Sequence, residues 1–174
     1  SKTYTAEFKK ATVQPEKVTL AKKSIQMGLK EKVSLKAKVL PLAASQKVTW
    51  KSSKKSVVSV STKGVLTAKR TGKAVITAAA SNGKTAKCTV TVKKAPRKVI
   101  LNVKAKKLKK GKTYQIRAKL PKGTASFKMT YKSSKKSVAA VSSSGKITAK
   151  KKGRAVITVK TYNGKKAKLT VTVK

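Results

Sequence analysis

The chain has 174 residues and a formal net charge of +44 at pH 7, because 47 Lys and Arg accompany only three acids, Glu7, Glu16 and Glu31. With no His and so few carboxylates, the sequence excludes general acid–base catalysis by the usual groups, and no apolar run is long enough for membrane insertion. A hydrophobic content of 39% favours small folded domains over a disordered basic tail.

Residues 1–16 form the first segment. In TYTAEFKKA, the side chains of Tyr4, Ala6 and Phe8 share one face of a predicted strand. Two interpretations stay open. The stretch is the last strand of a preceding unit followed by a linker up to Pro15, or it is an extension that pairs with the edge of the first domain. We expect the whole chain to be a monomeric segment of a longer protein.

The rest of the chain is an internal repeat. Residues 18–93 align with residues 99–174 without a gap, and WKSSKKSV at Trp50 returns as YKSSKKSV at Tyr131, 81 positions later. A period of about 80 residues exceeds that of solenoid repeats and suits whole domains in tandem.

These boundaries predict one domain over residues 17–94 and a second over residues 95–174. The junction KKAPR, residues 93–97, is short and contains one proline, which predicts a fairly stiff linker.

Within each repeat the apolar residues alternate with polar ones. VSLKAKV places Val33, Leu35, Ala37 and Val39 on one face, and AVITAAA, KCTVTVK and their copies in the second repeat alternate in the same way. This period of two predicts half-buried strands. Turn signals such as Asn82-Gly83 recur about every ten residues and favour tight hairpins. No stretch shows the period of a helix, so we predict about seven strands per domain in an antiparallel β-sandwich.

The alternation also predicts which side chains face the interior. In the first domain they are Val33, Leu35, Ala37, Trp50, Val60, Ile76, Cys88 and Val90. In the second domain they are Tyr114, Ile116, Ala118, Tyr131, Val141, Ile157, Leu169 and Val171.

The order V-T-W-x-S-S, S-V-x-x-V, G-x-x-T-A, G-x-A-x-I-T and T-V-T-V occurs in the first repeat and recurs with small changes in the second. This pattern resembles the bacterial immunoglobulin-like domains of group 2. The resemblance implies an all-β fold of two tandem Ig-like sandwiches, used as stalk or adhesion modules of bacterial surface proteins. Two departures stand out: Tyr131 replaces Trp50 in the second repeat, and Lys54 and Lys135 follow the Ser-Ser pair.

Two motifs have a catalytic alternative that we set aside. Ser52 to Lys55, like Ser133 to Lys136, has the Ser-x-x-Lys spacing of penicillin-recognising enzymes, but here it follows a predicted strand instead of opening a helix. We expect its serines to hydrogen-bond the turn and its lysines to be solvated. Cys88 aligns with Leu169 and no His or Asp stands near it in sequence, so we predict a core side chain.

Metal ions and cofactors are not expected. Calcium sites need several carboxylates, structural zinc sites need clusters of Cys or His, and the second repeat contains neither. For the same reason the second repeat cannot supply from its own residues the acid that assists a Lys–Asn isopeptide crosslink. We therefore expect no catalytic residue, no cofactor-binding residue and no metal ligand.

The basic residues are the remaining candidates for function. Polyanion-binding candidates lie in the turns and hairpins: Lys54, Lys55, Lys135, Lys136, Lys150, Lys151, Lys152 and Arg154. Other lysines occupy outward strand positions, so we expect a diffuse positive field in place of one binding patch. The alternative is that this charge is simply a solvated surface.

The sequence therefore predicts a non-enzymatic structural or adhesive segment, extracellular or at the surface of a Gram-positive bacterium. Its expected partners are anionic cell-wall polymers or acidic host glycans. The alternative function is a nonspecific polyanion- or DNA-binding module, because a charge of +44 attracts nucleic acid. Base recognition is not expected, since only seven aromatic residues are present.

Overall fold

The computed structural model describes residues 12–174, and this part of the chain contains strands and no helix. It therefore has no helix that could cross a membrane. The strands of domain 1 are β1 Lys17–Leu20, β2 Ser24–Gly28, β3 Lys32–Ser34, β4 Ala37–Leu40, β5 Thr49–Ser52, β6 Val58–Val60, β7 Val65–Ala68, β8 Gly72–Ala79 and β9 Thr85–Lys93. Those of domain 2 are β10 Ile100–Leu101, β11 Ala105–Leu108, β12 Thr113–Gln115, β13 Ala118–Lys119, β14 Thr130–Ser133, β15 Ala139–Val141, β16 Lys146–Ala149, β17 Gly153–Lys160 and β18 Lys166–Val173.

Each domain is a sandwich of a four-stranded and a three-stranded sheet. In domain 1 the strand orders are β2-β9-β8-β5 and β3-β7-β6, and β1 pairs with β4. Domain 2 repeats this arrangement as β11-β18-β17-β14, β12-β16-β15 and β10-β13. The predicted all-β tandem sandwich is confirmed. One detail differs from the expected antiparallel order: β2 runs parallel to β9 and β11 runs parallel to β18. An early strand of each domain thus lies beside its last strand and runs in the same direction.

The core lies between the two sheets, as the alternation predicts. Ile76 pairs with Cys88 across β8 and β9, Ile157 pairs with Leu169 across β17 and β18, and all four side chains are fully buried. Burying a side chain of this size stabilises a fold by about 1.5–3 kcal/mol. The predicted parity of these strands is therefore confirmed.

Seven of the predicted interior side chains are only half-buried, although they pack against the core clusters: Ala37, Trp50, Val60, Tyr114, Ala118, Tyr131 and Val141. They belong to short strands at the borders of the sheets, where a neighbouring strand covers one side only.

The Asn-Gly hairpins are built differently from a two-residue turn. Gly83 has a φ of 83°, while Asn82 is not among the residues with positive φ, and the Gly83 N–H donates to the Ala80 carbonyl over 3.0 Å. The glycine alone therefore takes the left-handed conformation, as in hairpins closed by a type I turn and a glycine bulge. The side-chain amide of Asn82 instead donates to the carbonyl of Pro15.

The second Asn-Gly hairpin holds the linker between the domains. The Asn163 amide donates to the Pro96 carbonyl over 2.8 Å. Lys94 donates its backbone N–H to the Gly123 carbonyl and accepts from the Ala125 N–H, each over 3.2 Å. The linker is thus tied to domain 2 at both ends, and its stiffness stays a prediction.

Beyond the linker, the two domains meet at a joint made by Gly28, Leu29 and Glu31 of domain 1 with Ala125, Phe127 and Tyr162 of domain 2. The Glu31 carboxylate is only 2% exposed and accepts the N–H of Gly28 over 2.8 Å and the N–H of Phe127 over 3.0 Å. The Tyr162 hydroxyl donates to the Leu29 carbonyl.

The joint also depends on the absence of a side chain at Gly28. A Cβ there would lie 2.4 Å from the Ala125 carbonyl oxygen and 2.5 Å from the Tyr162 ring. These distances are far below van der Waals contact, so only glycine allows domain 2 to approach this closely.

Candidate polyanion-binding surface

The KSSKK turn of domain 1 follows β5. The Ser52 hydroxyl is buried, donates to the Val58 carbonyl over 2.6 Å and accepts the N–H of Lys54 over 3.3 Å. The Ser53 hydroxyl accepts the N–H of Val75 over 2.8 Å, whereas Lys54 and Lys55 are exposed. The serines therefore stabilise the turn, and the lysines face solvent, as predicted.

Domain 2 builds the same turn after β14. Its two serines, Ser133 and Ser134, accept the N–H groups of Lys135 over 3.2 Å and of Val156 over 2.9 Å. Lys135 and Lys136 are exposed. In neither turn does the Ser-x-x-Lys spacing open a helix, and the first serine is buried against the backbone. The recurrence of this motif is thus explained by the recurrence of the turn.

In domain 2, backbone hydrogen bonds join three basic turns at one end of the sandwich. The N–H of Lys150 donates to the Val138 carbonyl over 2.8 Å, which links the turn at residues 150–152 to the KSSKK turn. The N–H of Gly111 donates to the Ala149 carbonyl over 2.8 Å, which adds the turn at residues 109–112.

The last residue of the sequence lies at the same end, since the Lys110 N–H donates to the Lys174 carbonyl over 3.2 Å. We call this end the distal pole; its basic residues are all exposed and are Lys109, Lys110, Lys112, Lys135, Lys136, Lys150, Lys151, Lys152 and Lys174.

The structure thus divides the predicted polyanion-binding candidates between two places. Five of them, Lys135, Lys136 and residues 150–152, come together at the distal pole, and Arg154 lies nearby on β17, where it pairs with Thr172. Lys54 and Lys55 belong to the other domain. At the distal pole, turns that are distant in sequence are adjacent in space. The expectation of a diffuse positive field stays a prediction.

Sequence reasoning missed several basic residues of these ends: Lys69, Arg70 and Lys73 in domain 1, and Lys109, Lys110, Lys112 and Lys174 at the distal pole. The alignment of the repeats contained the signal. Lys69, Arg70 and Lys73 align with Lys150, Lys151 and Arg154, which are candidates in the second repeat.

Cys88 lies in the core of domain 1, fully buried. Burial raises the pKa of its thiol, which disfavours the reactive thiolate. The predicted role as a core side chain is therefore confirmed. Among the described residues no three His, Cys, Asp or Glu side chains are grouped so that they could hold a metal ion.

An open groove of about 680 Å³ beside Trp50 is bordered by Lys36, Lys47 and Lys63. The tyrosine at the equivalent place in domain 2, Tyr131, has its pKa raised by burial. Such a groove offers positive charge and part of an aromatic ring, and its lining includes no carboxylate or thiol.

Comparison with known proteins places this geometry in context. The sequence profile of the bacterial Ig-like domain (group 2) matches residues 7–90 and 97–172. An uncharacterized protein of Clostridium acetobutylicum is 34% identical over 152 residues, which are 85% of this chain and 16% of that protein. Lacto-N-biosidase of Bifidobacterium bifidum is 47% identical over 66 residues, which are 38% of this chain and 6% of that protein.

The chain therefore spans only a small part of the length of these curated relatives. Among solved structures, the S-layer protein rSbsC matches 94% of this chain and 28% of its own, with 19% identity and a TM-score of 0.41.

Proposed function

Because this chain belongs to the bacterial Ig-like domain (group 2) family, we propose that it is a non-enzymatic structural and adhesive segment of a cell-surface protein of a Gram-positive bacterium. Its basic surface holds it against anionic wall polymers or acidic host glycans. The observation that carries this proposal is the formal charge of +44 on two small sandwiches whose charged side chains are almost all exposed.

Three features support an electrostatic mode of binding. The candidate lysines of the turns are exposed, so their charges are available to a ligand. Three acids are too few to neutralise 47 basic residues, and one of the three, Glu31, is buried in the joint. Lysine ammonium groups act as point charges and select for anionic polymers without reading a sequence of bases.

The tight core and the linker support a structural role. Asn163 and the backbone of Lys94 tie the linker to domain 2. A chain of firmly connected sandwiches can hold other parts of a surface protein at a distance from the wall.

A salt titration tests the proposal. The affinity of the purified chain for wall teichoic acid, heparin and duplex DNA is measured between 50 and 300 mM salt. Each neutralised phosphate releases counterions, so the slope of log affinity against log salt is expected to be about −0.9 per contact on the duplex and about −0.7 on flexible strands. Absence of binding at the lowest salt, or an affinity independent of salt, would contradict the proposal.

A further inference from the structure

We propose that the distal pole of domain 2 is the principal contact surface of this chain for a flexible phosphodiester polymer, such as a polyol-phosphate polymer of the cell wall. This inference rests on the proposed function and gives it a location. It assigns polymer binding to one basic end of the chain in place of a positive field spread evenly over the surface.

The first argument is the convergence of the backbone. Gly111 and Lys112 exchange hydrogen bonds with Ala149, at 2.8 and 2.9 Å, and Lys150 and Lys151 both donate to the carbonyl of Val138. Neighbouring strands of a sheet lie about 5 Å apart, so their end turns fall within the Debye length of about 8 Å at physiological salt. The potentials of the lysines in these turns therefore add.

The second argument is the comparison with the equivalent end of domain 1, which forms the joint. The turn of residues 28–31 has the same backbone as the turn of residues 109–112: Lys30 and Gly111 both have positive φ, at 68° and 82°, and their N–H groups donate to equivalent carbonyls. The side chains, however, are different in every position.

At the distal pole, Lys109 takes the place of Gly28, and Lys112 takes the place of Glu31. A side chain at the first position prevents the close approach seen in the joint, and an ammonium at the second cannot accept an N–H. Lys110 and Lys152 also replace uncharged residues, Leu29 and Thr71. The distal pole therefore lacks the two residues on which the joint depends, and its turns carry more positive charge than those of domain 1, although Gly111 takes the place of Lys30.

The third argument concerns the ligand. The three turns of the distal pole contain no acidic and no aromatic residue, so they have nothing on which a base would stack and nothing that repels phosphate. The lysines lie on three neighbouring turns at one end of a sandwich, and all of them are exposed. A flexible chain can fold over such an end and meet several turns at once, whereas a straight duplex can touch it only along a line. The chemistry and the shape together favour a flexible polymer with repeated phosphate charges.

The experiment uses the two copies of the KSSKK turn as matched variants of the full chain. One variant carries Lys135→Gln and Lys136→Gln, and the other carries Lys54→Gln and Lys55→Gln. Both remove two exposed charges from the same turn, and they differ only in what surrounds it. Binding to purified polyol-phosphate teichoic acid is measured at 0.15 M salt, with thermal unfolding as a check of the fold.

If the pole is the contact surface, the variant in domain 2 loses about fifteenfold in affinity, since each of the two lost contacts costs a factor of about four at this salt. The variant in domain 1 loses less than about twofold. A third variant, Lys109→Gly with Lys112→Glu, installs residues that the same turn of domain 1 already carries, and it is expected to lose more than the first.

Equal losses in the two matched variants would overturn the inference while leaving the proposed function intact. Failure of the wild-type chain to bind would instead refute the proposed function. Duplex DNA that binds as tightly as teichoic acid and with the same dependence on Lys135 and Lys136 would show that the class of polymer is wrong. Loss of teichoic acid binding in the domain 2 variant alone supports the inference.

Discussion

Glu31 is the residue at which the arrangement of the two domains can be tested most directly. Its carboxylate accepts the N–H of Phe127 over 3.0 Å across the joint, although the two residues are 96 positions apart. The substitution Glu31→Lys introduces the residue that domain 2 carries at the same position, Lys112. Because domain 2 forms this turn with a lysine, domain 1 is expected to keep its own fold.

The size of the effect follows from the contacts that are lost. A hydrogen bond to a charged group contributes about 1.5–3 kcal/mol, and the bond to Phe127 exists only when the joint is closed. The bond to Gly28 lies within domain 1 and does not depend on closure. The closed population should therefore fall by about ten- to a hundredfold relative to the open one, at about 1.4 kcal/mol per factor of ten.

Residual dipolar couplings of the ¹⁵N-labelled chain measure this change. We expect the two domains of the wild-type chain to share one alignment tensor, and the domains of the Glu31→Lys variant to show two different tensors. Glu16→Lys is the matched control, because it makes the same change of charge at an exposed acid outside the joint. A shared tensor in the Glu31→Lys variant, or equal loosening by Glu16→Lys, would refute the assignment of Glu31 to the joint.

Three further outcomes are expected. Cys88→Leu should fold and change the free energy of unfolding in urea by less than about 1.5 kcal/mol, because Leu169 occupies the equivalent core position; loss of the fold would show that the two cores are packed differently. Burial and the charge of Glu31 raise the pKa of Tyr162. The neutral phenol of Tyr162 therefore stabilises the closed joint at pH values below the ordinary tyrosine pKa. This stabilisation is lost as the pH rises through the higher pKa of the folded state. Glu31→Gln should lower the pKa of Tyr162, seen by the absorbance of tyrosinate with Tyr162→Phe as reference, and an unchanged titration would count against their proximity. Asn163→Ala should loosen the linker, so that the two domains tumble more independently and their rotational correlation times from ¹⁵N relaxation differ more than in the wild-type chain. Unchanged relaxation would mean that the linker is held without the Asn163 side chain.

The strands and the core were predictable because their physical signal is local. Alternation along β8 and β9 places Ile76 and Cys88 on the buried face, and the register of the hairpin puts them opposite each other. The half-buried Trp50 shows the limit of this reasoning. Alternation states which face a side chain occupies, but the depth of burial depends on how far the opposite sheet extends.

The parallel pairs and the joint were not predictable in the same way. The pairing of β2 with β9 and the bond from Phe127 to Glu31 join segments far apart in sequence, and nothing in the local pattern of either segment indicates the other. The grouping of the basic candidates in space was unpredictable for a similar reason. Lys112 and Lys150 belong to different turns, and only the backbone hydrogen bonds around Ala149 show that these turns are neighbours.

The differences between the two repeats are more informative about function than their similarity. At residues 28–31 and 109–112, one backbone turn is used with two sets of side chains. Glycine and glutamate let the turn of domain 1 receive a neighbouring domain, since they supply space and an acceptor. Lysines in the same places of domain 2 supply neither the space nor the acceptor, and they make its turn positively charged. A single fold thus provides a connecting end and a basic end, and the choice between them depends on a few side chains that do not affect the core. If the basic end binds the wall polymer, the joint determines the direction in which the rest of the segment extends from it.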